Sequence, residues 1–270
     1  INECETGNHQ CDADSSVCVD TKGSYKCVCR SGFSKSGHEH KCRMMSSCKE
    51  IYDKYLKREN KAYLLNVESK RIPVYCQMEA AELGECGGGG WTLVMKIDGE
   101  KYDSKLWTNK TDHNPSAGKT LLDYQETKLP TYWSTPFTKI CLAMKIGHQV
   151  NSIVINKQAN SLYSLIADGK YRSTSLGRHT WKKLIGQQAS LQRNCNKEGF
   201  NSYPARHYSR ARIGIISNEN NNCGSPDSRI GFGTGGNPYA DNTCGNTAWY
   251  WYEPDNGGKN IKAMGYILVQ

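Results

Sequence analysis

Thirteen cysteines are the side chains here with the most chemistry to do, and their spacing is uneven. Six (Cys4, Cys11, Cys18, Cys27, Cys29 and Cys42) crowd the first 42 residues, whereas Cys48, Cys76, Cys86, Cys141, Cys195, Cys223 and Cys244 are scattered over the remainder. A dense, even-numbered set in a segment too short to bury a core reads as a disulfide scaffold, and disulfides persist in oxidising compartments. The seven later cysteines leave one sulfur over in a monomer.

Catalytic motifs are missing from the sequence. It has neither His-Glu-x-x-His nor Gly-x-Ser-x-Gly, and Gly118-Lys119-Thr120 fails as a phosphate loop because His113 stands where that loop requires glycine. His38-x-His40 offers at most a place for a stray metal. The expectation is a protein that binds and does not catalyse. Its candidate binding groups are the basic stretch Arg206, His207, Arg210 and Arg212, which with Lys182 and Lys183 can offer a patch for sulfated glycan or simply a solvated basic face. Trp249-Tyr250-Trp251-Tyr252, read as a strand, puts two rings on each face, leaving an outer pair to stack on sugar. The carboxylates Asp227, Asp241, Glu253 and Asp255 surround that run. Asn109-Lys110-Thr111 is a glycosylation sequon, and Asn114-Pro115-Ser116 is blocked by its proline.

These groups need a scaffold, and composition limits the choice. At about 150 residues per domain, 270 residues make one large or two unequal domains. A mean hydropathy of −0.70 and no apolar run near the ~20 residues needed for a bilayer exclude a membrane-spanning helix, while 6 Trp and 16 Tyr argue against disorder. The chain starts without Met or an apolar leader, so processing or an earlier start is expected. Residues 1–42 hold five Lys/Arg against six Asp/Glu, so the net charge of +9 belongs wholly to the later segment. Anionic glycans and acidic matrix proteins are the expected partners, and no motif supports nucleic acid.

Between the segments, residues 43–47 form a short linker. Ser47 and Glu50 make a capping box that starts a helix with Ile51 and Tyr55 one turn apart. Apolar runs at 91–95, 140–146, 153–155, 211–216 and 263–269 have strand length. Helix is expected only there and at 122–126 and 180–184. The Gly/Asn/Asp/Ser-rich stretch 217–246 is long enough to carry a binding function or to need bracing by disulfide or metal.

The first six cysteines and the run Cys18-Val19-Asp20-Thr21-Lys22-Gly23-Ser24-Tyr25-Lys26-Cys27-Val28-Cys29 resemble the calcium-binding EGF-like modules. That resemblance implies the pairs Cys4–Cys18, Cys11–Cys27 and Cys29–Cys42, which spacing alone leaves open. It also implies Ca2+ as cofactor, held by side-chain oxygens of Glu3 and Asp20 and by carbonyls of Ile1, Thr21 and Ser24, since calcium takes hard oxygen ligands. In that family an Asp directly precedes the position of Ile1.

From Ser47 onward, Ser47-Cys48-Lys49-Glu50-Ile51, Ala62-Tyr63-Leu64-Leu65, Val74-Tyr75-Cys76-Gln77-Met78 and Gly88-Gly89-Gly90-Trp91-Thr92-Leu93-Val94 resemble a fibrinogen-related domain of the intelectin-like sort. This implies the pair Cys48–Cys76. Cys223–Cys244, closing the late loop, and Cys86–Cys141 are the further pairs expected, leaving Cys195 free and buried or bonded to another chain. The chain as a whole resembles cnidarian secreted proteins of the skeletal organic matrix of reef-building corals, which implies secretion and association with a calcium carbonate skeleton. Its positive charge speaks against direct nucleation of carbonate.

The reading is a calcium-binding EGF-like β module (1–42), a linker (43–47) and an α+β fibrinogen-like domain with mixed sheet and long loops (48–270). It describes an extracellular matrix protein that binds anionic partners. The alternative is a calcium-dependent lectin using Asp241, Trp249 and Trp251, although the intelectin ligand motif is not matched residue by residue.

Overall fold

Turn glycines and short alternating runs shape the N-terminal module into two hairpins in the computed structural model, which describes residues 2–35, 41–54, 59–101, 104–204 and 207–270. A single helical turn, α1 (Glu3–Thr6), is capped by Asn2, whose Oδ1 accepts from the Cys4 and Glu5 amides, and ends at Gly7 with φ 72°. Strands β1 (Ser16–Thr21) and β2 (Ser24–Cys29) pair around Lys22-Gly23, and β3 (Phe33–Lys35) pairs with β4 (Cys42–Met44). Cys27 is the only buried apolar side chain among the described residues of this module. Cys4–Cys18, Cys11–Cys27 and Cys29–Cys42, with Cα separations between 5.3 and 5.6 Å, do the work of a core.

The junction expected as a linker is built into both neighbours. β4 runs through Met44, and Met45 is buried, its amide donating to the Gly32 carbonyl and its carbonyl accepting from the Asn66 amide. Arg43 forks onto Glu50, with Nη2 to Oε1 at 2.9 Å. Lys54 Nζ donates to the Phe33 carbonyl, and Arg71 lies over the Phe33 ring. The helix α2 (Cys48–Lys54) starts with Ser47 Oγ accepting the Glu50 amide, but Glu50 reaches back to the Ser46 amide. Tyr55 lies outside the described residues.

The remaining elements, in chain order, are β5 (Lys61–Val67), β6 (Lys70–Gln77), β7 (Trp91–Asp98), β8 (Thr127–Lys128), α3 (Thr131–Ser134), β9 (Phe137–Ile146) and β10 (Gln149–Ala159). Then follow α4 (Leu162–Ile166), β11 (Arg172–Ser173), α5 (Arg178–Lys183), β12 (Asn194–Ser202), β13 (Arg210–Asn218) and β14 (Ser228–Gly235). The chain closes with β15 (Cys244–Ala248), β16 (Lys259–Lys262) and β17 (Met264–Val269). One sheet has seven strands, ordered β10-β9-β17-β7-β6-β5 with β8 on β7; the other has six, β11 to β16 in sequence with the intervening strands.

Two apolar clusters explain the layering. Leu142 and Met144 of β9 and Ile267 of β17 face Ile213, Ile215, Ile230 and Phe232 of the second sheet, with Trp181 of α5 closing one side. The alternate residues Cys141, Ala143 and Leu268 face the other way, onto Trp91, Leu65, Met45 and Ile51. The seven-stranded sheet is therefore covered on both faces.

Several expectations need correction. The domain is mostly sheet rather than α+β, and every strand pairing described is antiparallel rather than mixed. Residues 122–124 are bends and 125–126 irregular, not helix, because Asp123 is drawn to Lys96 Nζ at 2.8 Å while the Leu122 carbonyl accepts from Lys145. The loop 217–246 contains β14. Cys48–Cys76 and Cys86–Cys141 are present, but Cys223 bonds to Cys195, not to Cys244. The bulged start of β12 lies beside the end of β13, where Asn194 opposes Asn218, and this brings Cys195 to the loop carrying Cys223. Cys244 is the buried free thiol, turned inward against Phe232 and Gly265, where any side chain would collide with its sulfur.

Candidate functional site

Cys4–Cys18 builds the calcium end of the EGF module. It joins Glu3, one residue before Cys4, to Asp20, two residues after Cys18, and α1 packs against both strands of the first hairpin. Glu3 Oε2 is buried with no hydrogen-bond partner, a state that a carboxylate tolerates poorly without a cation. Asp20 is exposed, and Thr21 Oγ1 donates to the Ser24 carbonyl at 2.7 Å. The residues present thus fit calcium: Glu3 and Asp20 would supply charge, and the carbonyls of Thr21 and Ser24 would complete the shell. Ile1, His38 and His40 lie outside the described residues. His9, Cys11 and Cys18 stand close together, but both sulfurs are committed to disulfides and cannot act as thiolates.

In the second domain the late-loop residues do not converge as expected. Asp241 and Trp249 lie beyond opposite ends of β15, and Asp241 is paired with Lys262 at 2.7 Å. The four aromatics form no strand: β15 stops at Ala248, the Trp249 amide donates to the Asp227 carbonyl, and residues 250–252 make a single tight helical turn. Glu253, with φ 45°, and Pro254 then turn the chain away. Three rings are consequently outside, Trp251 being 66% exposed, with Tyr250 at 4.7 Å from it.

Beside this turn lies a cluster that residue types alone did not bring together. Asp227 is buried, and its carboxyl is pushed up to about 6 by burial and by the Glu219 carboxylate next to it. The Asp227 amide bonds to Ser217, so the carboxyl sits at the end of β13 next to Asn218. Asn218 Oδ1 and Gln192 Oε1 are buried and unpartnered, and Gln192 Nε2 donates to the Trp249 carbonyl. The Asp227–Glu219 pair thus stands at the end of β13, and Gln192 is tied to Trp249 at the start of the exposed aromatic turn.

The basic groups are also divided. Arg210 and Arg212 both lie over the Tyr203 ring, at 5.9 and 4.6 Å. Arg206 is outside the described residues. Lys182 and Lys183 belong to α5, which Arg178 ties through Asn196 to Ser217, at the far end of β13 from Arg210. Asn109 is half-buried, and its side-chain oxygen accepts from Lys128 Nζ and the Thr111 amide.

Residues 1–42 match the family model of the calcium-binding EGF domain. The N-terminal module is a calcium-binding EGF domain, with Ca2+ as its cofactor. A stretch of 46 residues, 17% of the chain, is 46% identical to nidogen-2 of Mus musculus and spans 3% of that protein's length. The EGF domain and the six disulfides fit an extracellular protein, and no helix among the described residues is long and apolar enough to cross a membrane.

Proposed function

We propose that this chain is a secreted matrix component that works by binding and not by catalysis. A calcium-braced EGF module is seated firmly on a basic β domain that contacts anionic glycan or acidic matrix protein. The junction carries this reading: buried Met45 and the Arg43–Glu50 fork fix the calcium end relative to the domain that holds the positive charge. The match to nidogen-2 covers 46 residues, so matrix residence rests on the EGF module, the disulfides and the charge. The resemblances of the sequence refine the proposal to a fibrinogen-related second domain and a place in a coral's skeletal matrix, with Asn109 glycosylated. Isothermal titration of calcium into the chain and its Asp20→Ala variant tests the foundation. Saturable binding weakened by the substitution is expected, and no heat at millimolar calcium in either protein would remove it.

A second reading, a calcium-dependent lectin, is favoured by one observation. Asp227 is paired with Glu219, its carbonyl accepts from the Trp249 amide, and Gln192 donates to the Trp249 carbonyl, so carboxyl and amide oxygens lie at the start of the turn that exposes Tyr250 and Trp251, where a cation and an aromatic face can hold a sugar together. Binding to a glycan array that disappears with chelator and with Asp227→Asn or Trp251→Ala is the expected signature. Chelator-insensitive binding would reject it.

A further inference from the structure

A cleft of about 820 Å³ is lined from one side by Glu85 and by Asn151 of β10 and from the other by His179, Lys182 and Lys183 of α5. Gln187 and Asn256 stand at its rim. We propose that this cleft is the binding site for a short sulfated oligosaccharide. The proposal rests on the anionic-glycan reading above and gives it a location.

The two lysines carry the argument, because neither is committed to its acidic partner. Asp255 holds Lys182 at 2.7 Å, but it also accepts from Arg178 at 2.6 Å and from the Leu191 amide at 3.0 Å. If Lys182 turned to a ligand, Asp255 would keep a guanidinium and a backbone donor. Lys183 pairs with Glu85 at 2.7 Å, with both side chains about half exposed, and such a pair contributes only about 0–1 kcal/mol. Both ammoniums are therefore free to move onto an incoming anion at small cost. The Gln187 amide and the His179 imidazole suit hydroxyl and sulfate oxygens, while Asn151 and Asn256, whose Nδ2 groups donate to the Leu184, Gln187 and Ala189 carbonyls, can offer their side-chain oxygens to a sugar hydroxyl. The walls are fixed: Glu85 precedes Cys86, which is bonded to Cys141 in β9, and Arg178 anchors α5 to the Gln192 and Leu191 carbonyls. An acidic peptide would make the same contacts with lysine, but the side-chain amides of Asn151, Gln187 and Asn256 in the lining favour a polyhydroxyl ligand.

The probe is a heparin-derived tetrasaccharide, with polyaspartate as the competing acidic polymer, measured by isothermal titration at low and high salt. Wild-type protein should bind the tetrasaccharide in a salt-sensitive way, and Lys182→Gln/Lys183→Gln should weaken it by about ten-fold or more. Glu85→Gln should strengthen binding by roughly two-fold or more, because it frees Lys183 and removes a facing negative charge. A gain of affinity cannot come from damage to the fold, and thermal melts of the variants confirm folding. Binding by wild type that is lost in Arg210→Gln but unchanged in the lysine variant would overturn the cleft while leaving the glycan reading in place. Absence of tetrasaccharide binding in wild type would overturn both, and binding of polyaspartate alone would replace the sugar with a protein partner.

Discussion

The two parts of this chain meet the entropy of folding by different means. Residues 1–42 bury one apolar side chain among those described and are closed by three disulfides, whereas the second domain covers a seven-stranded sheet on both faces. They also differ in where their cations come from. The EGF module takes up Ca2+ from solution. The second domain carries its own: Lys96 Nζ sits among the carbonyls of Ala117 and Thr120 and the carboxylate of Asp123 at 2.7, 3.2 and 2.8 Å. Lys128 Nζ holds the carbonyl and side-chain oxygen of Asn109, both at 2.7 Å. Arg229, fully buried, gathers the carbonyls of Gly236, Pro238, Tyr239 and Asn242. Tethered cations brace these loops as a metal would, and no chelator can remove them.

That contrast is open to attack at several points. The largest effect belongs to Trp181, fully buried between the sheets with its Nε1 bonded to Glu198 at 2.8 Å. Trp181→Ala should cost about 3–5 kcal/mol in urea unfolding of the second domain, and a much smaller loss would mean that the inter-sheet cluster is not its main support. Replacing Cys11 and Cys27 by alanine should cost the EGF module roughly 2–4 kcal/mol and leave the second domain's melting unchanged; coupled melting would erase the distinction. Chelation is expected to act on one side only, altering amide exchange near Asp20 while the second domain's melting temperature stays fixed.

Acid supplies a further contrast. Burial alone would raise the Glu198 carboxyl, but donors from Thr174, Trp181 and the Leu176 and Gly177 amides outweigh it and hold the group below its ordinary 4.5. Its contribution is thus complete above the unfolded value and lost as pH falls through the folded one. Glu198→Gln should flatten the acid limb of the second domain's stability profile, and an unchanged limb would show that other carboxylates dominate it.

Legibility in the sequence follows the same division. In the EGF module, the family resemblance, which spacing alone could not replace, implied the three bonds that are seen. In the second domain the apolar runs at 91–95, 140–146 and 211–216 became β7, β9 and β13, because alternation is local. What failed was long-range. Cys195 met Cys223 through a bulge in β12 that no spacing announces. Trp249 to Tyr252 have strand composition, but the Trp249 amide is taken by Asp227 and the chain turns. Lys96, Lys128 and Arg229 look like solvent-facing charges on strands. Only the loops folded over them make them interior, and those loops carry no periodic signal. The grouping of Asp227 with Glu219, Asn218 and Gln192 was hidden for the same reason.

The smallest predicted effect tests whether the two parts act as one body. Arg43→Gln removes the charged fork to Glu50 but leaves Met45 buried, and because both side chains are partly exposed the stability cost should be at most about 1 kcal/mol. Geometry is the sharper readout. Arg43 joins the EGF strand β4 to the helix α2 by an ion pair, while Met45 spans them by burial. If charge sets the angle, residual dipolar couplings of the two parts should cease to fit a common alignment in Arg43→Gln; if burial sets it, they should still do so and fail only in Met45→Ala. The buried residue makes backbone bonds to both sides, to Gly32 and Asn66, so the second outcome is expected. The orientation of the calcium end would then be fixed by packing and insensitive to salt, in contrast to the salt-sensitive binding expected of the proposed cleft.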